Sequence, residues 1–220
     1  MLLRSLEITS TDDSRLWTYA WWLSVGTIAY NIGEGIVSIV FGVSDETLAL
    51  FGFGADSFIE VVSAIGIAHM VVRLRTHGSE QRDAFERTAL KVTGWSFYAL
   101  TIVLVITSVL SVVTNHAPES TISGIIVSLI SIIFMWALIR AKVTVGTKLR
   151  CSPIIADANC SKVCLRMSLI LLASSILFEL FHIGYIDAIG AVGLAWFSFK
   201  EGRECFEKAS STGHCSDDCC

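Results

Sequence analysis

The chain has 220 residues, of which 53% are hydrophobic, 16% charged and two are proline, with a formal net charge of −4 and a mean hydropathy of +0.66. Soluble domains carry about a quarter charged residues, so this composition excludes an ordinary water-soluble fold and describes a multi-pass, all-α integral membrane protein. It also lacks a basic surface for nucleic acid, and no phosphate loop, nucleophile elbow or His-based metal motif marks an enzyme.

A transmembrane helix needs roughly 20 mostly apolar residues, and six candidates follow along the chain. Residues 1–15 form a polar N-terminal segment that does not read as a cleaved signal peptide, so the first helix is expected to serve as the insertion signal. The first span is Leu16 to Phe41, the second Thr47 to Val72, the third Val92 to Asn115 and the fourth Thr121 to Ile139. The fifth has an uncharged part, Met167 to Phe178, of about 18 Å at helical rise, too short for a core of about 30 Å. It must reach back through Arg166, Cys164, Lys162, Cys160 and Asp157 to about Ser152. The sixth is Ile183 to Phe199, interrupted by Asp187, and closes a membrane domain spanning 16–201. Residues 202–220 are too few and too polar to build a core and are expected to form a tail.

Cytoplasmic loops are enriched in Lys and Arg. Apart from Lys162 and Arg166, every basic residue lies in the N-terminal segment, in the loop after helix two (Arg73 to Lys91), in the loop after helix four (Arg140, Lys142, Lys148, Arg150) or beyond the sixth span. The alternate loops carry none, which predicts both termini in the cytoplasm and six spans; the expected location is the cell (inner) membrane. Cys151, Cys205, Cys215, Cys219 and Cys220 then face the cytoplasm and Cys160 and Cys164 lie within a span, so all are expected as free thiols.

Ionisable groups within spans are costly and point to function. Asp56 and Glu60, four apart on helix two, share a face and should turn inward, protonated or compensated by a cation. Pairing with Lys162 or Arg166 is the structural alternative. Cys160 and Cys164 repeat that spacing on helix five, with Asp157 on their face and Lys162 and Arg166 roughly 150° or more away. Two thiolates and two carboxylates supply four ligands to a tetrahedral cation, of which zinc is the usual case, and thiolates also suit softer ions such as cadmium. Asn31 and Glu34 add polar groups on helix one.

The tail sequence HCSDDCC brings His214, Cys215, Asp217, Asp218, Cys219 and Cys220 together as candidate soft-metal ligands, with a plain flexible tail as the alternative. His116 and His182 read as loop residues, and His69 and His77 have no evident partner. Gly33 and Gly35 in helix one and Gly190 and Gly193 in helix six allow close helix approach, for internal packing or a dimer interface.

The paired motifs DSFIE (Asp56, Glu60) and ADANCSKVC (Asp157, Cys160, Cys164), with YIDAIGAVGL around Asp187, resemble the cation diffusion facilitator family of metal transporters over about residues 16–208. The chain reads as a short, divergent branch of it, with thiols where zinc-carrying members usually have His and Asp on helix five, and without the family's cytoplasmic C-terminal domain. The resemblance implies a six-helix bundle, a homodimeric secondary transporter rather than an enzyme, and no tightly bound cofactor. Metal and protons would be its transported species: zinc or cadmium leaves the cytoplasm by alternating access in exchange for protons. Asp56, Glu60, Cys160 and Cys164 would hold the metal, with Asp157, Glu34 and Asn31 supporting them or leading the ion in. A membrane metal sensor that binds without transport would use the same residues.

Overall fold

The computed structural model describes residues 2–77, 84–115, 117–149 and 152–210, with side chains placed for most of them from Arg15 onward. They form six helices in sequence: α1 (Leu2–Ser44), α2 (Leu48–His77), α3 (Ala84–Thr114), α4 (Ile122–Leu149), α5 (Ser152–Phe181) and α6 (Tyr185–Ser210). The polar N-terminal segment thus continues α1 rather than standing apart.

Five of the helices are long and apolar enough to cross a membrane. α6 is long enough, but only Tyr185 to Phe199 precede Lys200, and Glu201, Arg203, Glu204, Glu207 and Lys208 follow. Large apolar side chains such as Val113, Ile133, Leu180 and Trp196 are exposed, whereas Asn31, Ser57, Ser128, Ser131 and Ser168 are fully buried. Apolar residues outside and small polar residues between helices suit a lipid surround, where helices associate through close packing and hydrogen bonds.

The helices pack as three tight pairs, α1 with α2, α3 with α6 and α4 with α5, and α2 also touches α3, α5 and α6. Glycines explain the tightness. A Cβ on Gly42 would lie 2.6 Å from the backbone nitrogen of Phe51, and one on Gly54 2.9 Å from that of Ile39, so α1 and α2 meet backbone to backbone. Gly94 and Gly202 do the same for α3 and α6, each placing a Cβ 3.2 Å from the other's carbonyl. Of the glycines singled out in the sequence, Gly35 and Gly190 sit at such approaches, against Phe58 and Ser174, whereas Gly33 has nothing within 4 Å.

Carboxylates from other helices tie the ends of the bundle together. Asp187 at the start of α6 accepts hydrogen bonds from the backbone amides of Leu48 (2.8 Å) and Ala49 (3.3 Å), capping α2. Glu179 on α5 accepts from the Thr121 amide (2.6 Å) and caps α4, while Ser123 donates to Asp45. These contacts place the ends of α1, α3 and α5 beside the starts of α2, α4 and α6, at one end of the bundle. The chain between α1 and α2, and between α5 and α6, turns through left-handed Glu46 and His182. Among the described residues no Lys or Arg lies at this end; all of them fall toward the other, the basic end.

That distribution refines the expected loops. Arg140, Lys142 and Lys148 belong to α4, because helix four continues ten residues past Ile139 before α5 starts at Ser152. Arg73 belongs to α2 and Arg87 and Lys91 to α3, while Arg82 and Arg150 lie outside the described residues.

Since Asp187 satisfies two amide donors of α2 with a charged acceptor, Asp187→Ala is expected to cost about 2 kcal/mol. The thermal midpoint of the purified chain in detergent checks this, and an unchanged midpoint would show that the cap contributes nothing.

Candidate metal centre

The buried polar groups converge where α1, α2 and α5 meet. Asp56 and Glu60 occupy successive turns of α2, and Asp56 lies about 12 Å from Leu48 at helical rise, well inside the span. Asp56 and Cys164 are buried and Glu60 is half-buried; one ligand atom from each lies within 4.8 Å of the other two. A tetrahedral zinc site with bonds of about 2.0–2.3 Å holds its ligand atoms about 3.3–3.8 Å apart. The three groups therefore need to close by about 1 Å to share one ion.

Helix α1 supports this cluster. The side-chain amide of Asn31 donates to Glu60 Oε2 at 3.0 Å. Glu34 accepts from Tyr30 Oη at 2.8 Å and lies 3.1 Å from Ser57 Oγ, one residue after Asp56. Tyr30 is held by stacking on Phe134 of α4, with ring centroids 3.7 Å apart. On α5, Ser168 Oγ donates to the Cys164 carbonyl at 2.8 Å and lies 2.9 Å from Ser131 Oγ of α4. Two acceptors at the cluster, Asn31 Oδ1 and Asp56 Oδ1, are buried without a hydrogen-bond partner. An unpaired buried oxygen costs roughly 1–3 kcal/mol.

The side chain of Cys160 lies outside the described ones, as do His214, Cys215, Cys219 and Cys220. Asp157 is not among the three clustered groups: its carboxylate pairs with Lys142 of α4 at 2.9 Å, and Lys142 also donates to Ser161 at 3.0 Å. Lys162 and Arg166 are exposed, with Lys162 donating to Asn159 at 2.7 Å, so neither neutralises Asp56 or Glu60. Among the described residues no basic side chain forms an ion pair with Asp56, Glu60 or Glu34.

Lys142 is the residue that sequence reasoning missed. It had a signal: Met135, Leu138, Lys142 and Val145 form one buried helical stripe, which continues past the point where hydropathy ends the span. A cavity of about 40 Å³, large enough for water, leads from Asn31 and Glu60 toward the basic end, where Asp157, Glu201, Cys205 and Lys208 line it.

No protein-family model matches the chain, and no curated protein is significantly similar to it.

Proposed function

We propose that the chain is a divalent metal cation transporter, with zinc or cadmium as its substrate, working by alternating access in exchange for protons. The observation that carries this reading is the convergence of Asp56, Glu60 and Cys164 within 4.8 Å, enclosed by helices whose outer surfaces suit lipid. A thiolate with two carboxylates favours borderline and soft divalent ions over magnesium or calcium. Cys160, one turn before Cys164 on α5, is the proposed fourth ligand.

Metal ligands must be deprotonated, so loading releases protons from these groups and reprotonation releases the ion. That exchange supplies the coupling. In this reading α6 completes a six-span bundle, the basic end faces the cytoplasm, and the protein works as a homodimer in the cell membrane, as the resemblance to cation diffusion facilitators implies.

The test is uptake of zinc and cadmium into proteoliposomes under an imposed pH gradient. Metal-dependent proton movement in step with uptake is expected. Stoichiometric binding without flux would replace the transporter with a membrane metal sensor, and neither binding nor flux would leave the cluster as structure alone.

A further inference from the structure

Glu201 and Cys205 play no part in the cluster above, yet both are turned into the bundle. They lie four residues apart on α6, in the buried stripe Leu194, Ser198, Glu201, Cys205 and Ala209. Each is less than a tenth exposed. The close approach of Gly94 and Gly202 presses this part of α6 onto α3 and sets its rotation. A carboxylate and a thiol at this spacing share one helical face, repeating in a third helix the pattern of Asp56 with Glu60 and Cys160 with Cys164.

Both line the small cavity that Asn31 and Glu60 also line. Two further lining residues present oxygens with no partner: Thr93 Oγ1 and Asn31 Oδ1, in residues that are 1% and 0% exposed. Leaving such oxygens unpaired in a water-sized space is unfavourable, and a cation or its hydration water entering there would satisfy them. The other charges on the cavity wall are offset. Asp157 is paired with Lys142, and Lys208 lies 3.6 Å from Glu204. Among the described residues Glu201 forms no ion pair of its own, although Lys208, Lys200 and Arg166 lie in its surroundings, so its carboxylate is open to an ion that enters from the basic end before it meets Glu60.

We infer that Glu201 and Cys205 form a second, transient divalent-cation position at the basic end of this cavity, which passes the ion on to Asp56, Glu60 and Cys164. The inference rests on the transport reading and specifies its loading path.

Cadmium alone is the probe. In proteoliposomes of the full chain, Glu201→Gln and Cys205→Ser are expected to raise the half-saturating cadmium concentration about tenfold, with the loss residing there rather than in the maximal rate. Glu201→Asp should recover most of it. A residue needed only for packing would lower the amount of folded protein and the maximal rate, and would leave half-saturation unchanged; that result overturns the inference. Binding is read separately on a purified full chain whose Cys151, Cys160, Cys164, Cys215, Cys219 and Cys220 are replaced by Ser. The ultraviolet cadmium–thiolate band should persist there and vanish on adding Glu201→Gln. Persistence of the band after Glu201→Gln, or its absence beforehand, overturns the second position. If the wild type carries no cadmium but this band behaves as expected, the transport reading fails while the binding position stands.

Discussion

Asp56→Asn and Cys164→Ser are each expected to reduce zinc and cadmium uptake into proteoliposomes by at least about 100-fold. The size follows from the ligand set. Each substitution removes one of three donors whose atoms already lie within 4.8 Å, and the groups left behind cannot complete a four-coordinate site. Asn31→Ala should be milder, about 10–100-fold, because Asn31 holds Glu60 through its amide at 3.0 Å, and loss of a group that orients a ligand has that typical effect. The graded order separates a metal centre from a polar packing cluster, in which Asn31→Ala, Asp56→Asn and Cys164→Ser would all leave metal uptake near wild type. Direct cadmium binding to the same variants decides whether the loss is one of affinity or of movement.

Lys142→Met is the largest expected loss of stability. It leaves the Asp157 carboxylate, 8% exposed and 2.9 Å from the missing ammonium, without its counter-charge. Breaking a buried pair from one side costs roughly 3–5 kcal/mol, a fall in thermal midpoint of roughly 10 °C for a chain of this length. Asp157→Asn should cost less, since an amide needs no counter-charge. The double variant Lys142→Met with Asp157→Asn is expected to recover most of the loss, giving a coupling energy well above that of a surface pair. A midpoint unchanged in Lys142→Met would mean that the pair is not closed in the membrane. Both variants keep Asp56, Glu60 and Cys164, so residual metal binding shows whether the ion pair acts on the metal centre or only on the fold.

Much of this architecture is legible in the chain itself. Hydropathy and length define the helices, and the run of basic residues at alternate turns separates one end of the bundle from the other. The four-residue spacing of Asp56 and Glu60 places them on one face, since helical period alone decides which side chains stack. The same geometry turns Lys162 and Arg166 away from Asp157, and both are exposed.

Relations between helices were not legible. Lys142 falls just beyond the apolar run of α4 and reads as a loop residue until α4 is seen to continue to Leu149 and to pack on α5 through Gly146 and Ile155. Asp157, which shares a helix with Cys164, is drawn instead to that lysine. Asp187 looks like an interruption of a span until it is found on the first amides of α2. Cys205 reads as part of a polar tail and Glu201 as the last residue of the membrane domain, and the close packing of α6 on α3 through Gly94 and Gly202 carries both inward. Periodicity within a helix is local and written in the residues. The rotation of one helix against another depends on which small residues let two backbones touch, and that is decided by the packed bundle.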